Sequence, residues 1–133
     1  MRIGGRDLRA VWWTGEGVAF VDQRRLPAAL EFAVARDLEA VTRAIEDMAV
    51  RGAPAIGVLA AYGLALAARR GESAAAAFDR LLRTRPTAVN LRAALDAVAA
   101  AGPDAAARLA AARAWDEAEV AAAAAIGGHG LAL

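Results

Sequence analysis

The feature that most constrains this chain is an uncharged run from Gly52 to Ala68, set between Arg51 and Arg69. The run reads GAPAIGVLAAYGLALAA. At roughly 17 residues it approaches the lower limit of a membrane-spanning helix. Glycines and a proline interrupt it, however, and many of its apolar residues are alanine, which is only weakly hydrophobic. The run therefore predicts a helix that is buried in a protein core rather than in a bilayer.

The composition indicates what surrounds this helix. The chain has 133 residues, the length of a single domain, expected to span residues 1–133. Its hydrophobic fraction is 59% but its aromatic fraction only 5%, so small side chains must fill the core, which favours closely packed helices. Its 16 arginines, in the absence of lysine, nearly balance 15 acidic residues, so the charge offers no field to attract nucleic acid or a membrane surface.

The chain's polar residues exclude several kinds of chemistry. There is no cysteine, hence no disulfide, no thiolate metal site and no cysteine nucleophile. The single histidine, His129, cannot form a metal cluster alone and is expected in a surface turn. The first residues carry scattered charges without the apolar stretch of a signal peptide, so a cytoplasmic location is expected. The apolar last residues, IGGHGLAL, suggest a fragment or one half of a protein.

The secondary-structure pattern predicts an α+β fold. Two β-branched or aromatic runs flank the turn Thr-Gly-Glu-Gly, which indicates a β-hairpin over residues 8–22. Pro27 is expected to end this unit, so residues 1–27 form a small antiparallel β unit and residues 28–133 a helical bundle. Helices are predicted over residues 38–50, 54–70, 73–83, 87–101 and 103–127.

Several apolar residues and glycines have structural interpretations. Leu38, Val41, Ile45 and Met48 form one apolar stripe of the first helix, which Gly52 is placed to end. The remaining assignments are packing roles: close helix contacts for Gly57 and Gly63, and core or partner-facing anchors for Trp12, Trp13 and Trp115.

The segment RGAP predicts an anion site. Pro54 suits the first position of a helix, which leaves the backbone N–H groups of Gly52, Ala53 and Ala55 unpaired at the positive end of the helix dipole. Glycine allows an anion to approach the backbone closely, and Arg51 adds a planar guanidinium that matches phosphate oxygens.

A similar arrangement recurs in the segment TRPTAVNL. Arg85 precedes Pro86, and Thr87 is a good N-cap for the helix that follows. If the two helix starts converge, a phosphate or carboxylate is expected between them. The alternative is that Arg51 and Arg85 each pair with a nearby acid. Asp22 and Gln23, in VDQRRLP, either form a solvated strand exit or line a cleft.

These motifs resemble one known family. VDQRRLP, MAVRGAPAIGVLAAYGLAL, TRPTAVNLRAAL and the terminal IGGHG, in this order and spacing, are similar to the N-terminal part of S-methyl-5-thioribose-1-phosphate isomerases, enzymes of methionine salvage. The chain departs from the family at Ala93, where a tryptophan is usual, and in the residues before the terminal motif.

The resemblance implies a function and a set of site residues. It implies isomerisation of a furanose 1-phosphate to a ketose 1-phosphate without a cofactor, with the phosphate held by Arg51, Gly52, Ala53 and Arg85. The family's catalytic cysteine and aspartate belong to a C-terminal Rossmann-like domain that this chain lacks, so the chain is expected to be inactive alone. The expected partners are the sugar phosphate, the C-terminal catalytic half and, once complete, a second copy in a homodimer.

Two other functions fit the same resemblance. One is a non-catalytic regulatory module, like the regulatory subunits of the initiation factor 2B family. The other is an isomerase of ribose 1,5-bisphosphate. Two phosphate-binding arginines favour an enzyme over a scaffold, because a scaffold does not need them.

Overall fold

The computed structural model describes residues 2–133, the side chain of Ile3 excepted. Met1, which opens the expected β unit, lies outside the described residues. Five short strands come first: β1 (Arg2–Ile3), β2 (Arg6–Asp7), β3 (Val11–Trp13), β4 (Val18–Val21) and β5 (Phe32–Ala35). Five helices follow: α1 (Leu38–Glu46), α2 (Ala53–Arg69), α3 (Ala74–Leu82), α4 (Val89–Ala99) and α5 (Ala105–Leu131). The predicted α+β class is confirmed.

The β unit is larger than the predicted hairpin. Strands β3 and β4 form that hairpin, with Val11 opposite Phe20, but β5 adds a third antiparallel strand on the other side of β4. The boundary expected at Pro27 was wrong as the end of strand structure. Asp22 donates its N–H to Glu31, and the chain returns to the sheet after the proline. Strand β4 is buried along its whole length, since it has a neighbour on both edges and helices over one face.

Helix α1 is shorter than predicted. It begins after Asp37, whose carboxylate accepts a hydrogen bond from the N–H of Ala40 at 2.7 Å, and it ends at Glu46. Met48 lies beyond the helix with φ of 59° and is exposed, so its place on the apolar stripe was wrong. Gly52 does not end α1; it is the N-cap residue of α2. The chain reverses at Met48, and this reversal ends α1. The N–H of Met48 donates to the carbonyl oxygen of Ile45, and the N–H of Val50 donates to the carbonyl oxygen of Ala44.

Helix α2 is the centre of the bundle. Every residue from Ile56 to Ala67 is buried, and the helix packs against all four other helices. This stretch has no charged side chain, so it can be covered on all sides without transferring an ionised group out of water. The alanines and glycines keep its surface narrow, so neighbouring backbones come close. Among residues 2–133, no helix is long and apolar enough to cross a bilayer.

Helices α4 and α5 run in opposite directions along α2. A Cβ built on Gly57 would lie 3.1 Å from the carbonyl oxygen of Asn90, in the first turn of α4. Two turns further along α2, Leu64 lines a cavity with Ala99, at the end of α4, and with Arg108, near the start of α5. Helix α4 is therefore parallel to α2. Since the indole of Trp115 lies beside Gly57, α5 is antiparallel to both.

The last part of α5 extends past the bundle. The helix continues to Leu131, four residues beyond its predicted end, and every residue from Val120 onward is exposed. His129 lies within this helix, so the predicted turn at its position was wrong, although its imidazole is exposed as expected. Alanines before it sustain the helix through three glycines, each of which costs about 1 kcal/mol relative to alanine.

We predict that Met48→Gly stabilises the protein. A side chain in the left-handed region costs roughly 1–2 kcal/mol, and glycine relieves this at some cost in unfolded-state entropy. We therefore expect the free energy of unfolding to rise by about 0.5–1 kcal/mol, measured by denaturant unfolding followed by tryptophan fluorescence. Met48→Ala is the control, because it keeps a Cβ at the same φ. Equal stability of the two variants would contradict the prediction.

Candidate functional site

The start of α2 lies open to solvent. The four residues Arg51–Pro54 are exposed, directly before the buried stretch of the helix. Gly52 has φ of 96°, a conformation that strains any residue with a Cβ, and its carbonyl accepts the N–H of Ile56 at 2.9 Å. Pro54 is the second helical residue, not the first as predicted. The N–H groups of Gly52, Ala53 and Ala55 still have no acceptor within the helix, because the first turn of an α-helix has no preceding carbonyl groups to accept them.

A second loop holds the segment before α2 in place. The side-chain amide of Gln23 donates a hydrogen bond to the carbonyl oxygen of Arg51 at 3.0 Å, and its backbone N–H donates to Ala49 at 2.8 Å. Two bonds from one residue thus fix the segment that carries Arg51. Sequence reasoning assigned Gln23 no more than a possible place in a cleft. The feature of the sequence that could have indicated this role is the position of Gln23, directly between a strand and the RRLP turn.

Asp22 has a structural role in the same loop. Its carboxylate accepts hydrogen bonds from the N–H of Arg24 at 3.1 Å and from the guanidinium of Arg24 at 2.9 and 2.6 Å. The bond from this guanidinium holds the pKa of Asp22 below its ordinary value. Asp22 therefore stays ionised near neutral pH and caps the short 3₁₀ helix Gln23–Arg25, on which Gln23 lies.

Neither arginine of the predicted site is paired with an acid. Over the described part of the chain, no carboxylate lies within 4.0 Å of the guanidinium nitrogens of Arg51 or Arg85. The alternative in which each forms a local salt bridge was therefore wrong. Arg51 is exposed and Arg85 half-buried, so both can meet an anion from solution.

Arg85 lies further from its helix than predicted. Its carbonyl accepts the N–H of Ala88 at 3.0 Å, which closes a turn around Pro86. Helix α4 begins only at Val89, and Ala88 occupies the cap position without a side-chain hydrogen bond. The N-cap role predicted for Thr87 was wrong, because the turn places this residue one position too early.

The bundle brings the two arginines to the same end. Since α2 and α4 are parallel, the segments that lead into them, with Arg51 and Arg85, lie at one end of the helix pair. The positive ends of both helix dipoles point there, and each helix leaves N–H groups unpaired. Both features suit an anion, and its binding at this end stays a prediction.

An open groove of about 710 Å³ adjoins the first turn of α2. Its apolar wall includes Val11, Ala55 and Val58. At its edge Asp116 accepts hydrogen bonds from the hydroxyl of Tyr62 at 2.8 Å and from Arg9 at 3.0 Å. Burial and the bond to Asp116 raise the pKa of Tyr62, so the phenol stays neutral and donates a hydrogen bond to Asp116. This network fixes α5 against α2 and the N-terminal segment.

Within residues 2–133, no group of three or more histidine, aspartate or glutamate side chains is arranged to hold a metal ion. The residues at the start of α2 and before α4 are instead hydrogen-bond donors, which suit an anion.

Comparisons with known proteins point to one family, although no protein-family model matches the sequence. A putative methylthioribose-1-phosphate isomerase of Methanocaldococcus jannaschii is 52% identical over 93 residues, which are 68% of this chain and 28% of that protein. A methylthioribose-1-phosphate isomerase of Synechococcus sp. is 52% identical over 89 residues, 67% of this chain and 26% of that protein. The chain thus spans between a quarter and a third of the length of these curated relatives.

Solved structures give the same result. The 5-methylthioribose 1-phosphate isomerase of Pyrococcus horikoshii matches 84% of this chain and 35% of its own, with 31% identity and a TM-score of 0.67. The delta subunit of translation initiation factor eIF-2B from A. fulgidus matches 85% of this chain and 36% of its own, with 35% identity and the same TM-score of 0.67. The resemblance drawn from the motifs is confirmed, and over the part that aligns the chain belongs to the family of the methylthioribose-1-phosphate isomerases.

Proposed function

We propose that this chain is the phosphate-positioning part of an S-methyl-5-thioribose-1-phosphate isomerase, which interconverts methylthioribose 1-phosphate and methylthioribulose 1-phosphate in methionine salvage. One observation carries the proposal: two arginines that have no acidic partner within residues 2–133, each leading into a helix, lie at the same end of a parallel helix pair. The names of the curated relatives supply the substrate.

In this proposal the phosphate binds at the start of α2. The N–H groups of Gly52 and Ala53 donate to its oxygens, and Arg51 adds a charge-assisted hydrogen bond. Gly52 suits this position because open space lies where a Cβ would stand, so the backbone can meet the anion directly. Gln23 holds the Arg51 carbonyl on the other side of the segment and keeps the N–H groups directed outward.

Arg85 closes the site from the side of α4. A phosphate held from two helix starts cannot rotate freely, so the sugar is kept in register for the reaction at C1 and C2. Positioning is the whole contribution that we assign to this chain. The acid–base chemistry requires side chains from a C-terminal half, since the family resemblance places a cysteine there and this chain has none.

A second candidate function has its own support. The similarity to the eIF-2B delta subunit is as close in structure as the similarity to the isomerase, with a TM-score of 0.67 in both cases. A regulatory module built on this fold would use the same bundle for subunit contacts. The two functions differ in one respect: a module that only makes subunit contacts does not need Arg51 and Arg85 to bind phosphate.

We predict that Arg51→Ala and Arg85→Ala each weaken phosphate binding. Removing a charge-assisted hydrogen bond costs roughly 1.5–3 kcal/mol, which is about a 10- to 150-fold rise in Kd. The measurement is calorimetric titration of the purified chain with methylthioribose 1-phosphate and, separately, with inorganic phosphate. Both ligands should lose affinity in both variants.

The matched control for these titrations is Arg83→Ala. Arg83 is exposed, lies two residues before Arg85, and bonds the carbonyl oxygen of Asp79 in its own helix. Its removal changes the net charge equally, so unchanged affinity is expected. An equal loss in Arg83→Ala would mean unspecific attraction of anions and would contradict the proposed site.

We predict a smaller effect for Gln23→Met. This variant removes the donor to the Arg51 carbonyl without adding a charge, and leaves the backbone bond to Ala49. A neutral hydrogen bond contributes about 0.5–1.5 kcal/mol, so the Kd for phosphate should rise roughly 2- to 10-fold. Denaturant unfolding serves as the control for an intact fold. An unchanged Kd would show that Gln23 does not position the segment.

We predict that the purified 133-residue chain does not isomerise methylthioribose 1-phosphate, whereas a fusion to the remainder of the Methanocaldococcus jannaschii relative does. The readout is formation of the ketose phosphate, followed by ³¹P NMR. Turnover by the chain alone would contradict the proposed division of roles, and turnover by the fusion that is lost with Arg51→Ala would support it.

A further inference from the structure

We infer that Gly57 is a positioning residue for phosphate: it sets the spacing between α2 and α4 and thereby places Arg85 relative to Arg51. This inference rests on the proposed function. Gly57 lies one turn after the start of α2 and touches neither arginine, so it acts through the helix contact and not by contact with a ligand.

The contact at Gly57 is made by backbone. A Cβ at this position would stand 3.1 Å from the carbonyl oxygen of Asn90 and 3.5 Å from its carbonyl carbon. Asn90 is the second residue of α4, and its carbonyl belongs to the helix, so it cannot turn aside as the end of a flexible side chain would. An added methyl group must therefore move the start of α4 by a few tenths of an ångström.

The other side of Gly57 is also occupied. The indole nitrogen of Trp115 would lie 3.4 Å from the same Cβ, and within residues 2–133 this buried N–H has no hydrogen-bond partner. Trp115 on α5 and Asn90 on α4 thus hold Gly57 between them. At 3.4 Å the contact with Trp115 is of ordinary length, so the strain of an added methyl group falls on the shorter contact with α4.

A displacement of α4 changes the position of Arg85, which lies just before this helix. Arg85 is bonded to the start of α4 through its turn with Ala88, so a shift of α4 changes the position of Arg85 relative to Arg51, which Gln23 holds. Charge-assisted hydrogen bonds have a narrow range of lengths, so a shift of a few tenths of an ångström weakens the bond that Arg85 can form to a phosphate held at Arg51. Gly57 is therefore needed for the geometry of the site and not only for packing.

Gly63 provides the matched control. It lies on the same helix, and its added Cβ would meet the Cγ1 atom of Val41, on α1, at 2.8 Å. Gly63→Ala therefore places its added methyl group even closer to a neighbouring atom than Gly57→Ala does, but that atom belongs to α1 and not to α4. A purely structural role of Gly57 would make the two variants alike in phosphate binding.

The test is titration of the full chain and its variants with inorganic phosphate, at a temperature where tryptophan fluorescence shows each variant to be folded. We expect Gly57→Ala to raise the Kd at least fivefold and Gly63→Ala to leave it within twofold of the wild type. In the Arg85→Ala background, Gly57→Ala should cause no further loss, because the group through which it acts is gone.

Each outcome decides between the two claims. If the wild-type chain does not bind phosphate, the proposed function fails and this inference fails with it. If the wild type binds and Gly57→Ala binds equally well, or loses the same affinity with and without Arg85, the inference alone is overturned. If Gly57→Ala does not fold, the same comparison is made in the Met48→Gly background, and equal affinity there again overturns it.

Discussion

The rest of the structure depends on the burial of an uncharged helix. Residues Ile56–Ala67 of α2 are buried, and each of the other helices covers one side of α2. Such a core uses small side chains where most proteins use large ones, so its stability comes from many close backbone approaches. The same property makes it sensitive to single methyl groups, as the distances around Gly57 and Gly63 indicate.

The candidate site follows from how this helix begins. A helix that is buried almost to its first turn has a rigid N-terminus, and here that terminus meets solvent at Arg51–Pro54. The N–H groups therefore keep their direction without a ligand, which lowers the entropy that binding would cost. The loop at Gln23 adds rigidity from the β unit, so sheet and bundle both contribute to one small exposed surface.

The sequence was most informative where local patterns decide the structure. The hairpin and the buried helix could be predicted because turn residues and an uncharged run leave few alternatives. The third strand, Phe32–Ala35, could not, since its only sheet partner is β4 across a turn of irregular length. Helix ends were also missed: Met48 reverses the chain without a glycine, and Arg85 precedes a turn that looks like a helix start. The parallel course of α2 and α4 depends on tertiary contacts that no local pattern records.

The exposed end of α5, residues 120–131, and the rest of the helical structure are expected to differ in stability. The part of α5 before Val120 packs one face against the bundle and unfolds with the core, whereas the part from Val120 onward is exposed, contains three glycines and depends on helix propensity. The exposed segment will melt gradually and at lower temperature. Circular dichroism of this chain will therefore not follow a two-state transition, even though its core unfolds as one unit, and its amide protons will exchange in two widely separated groups.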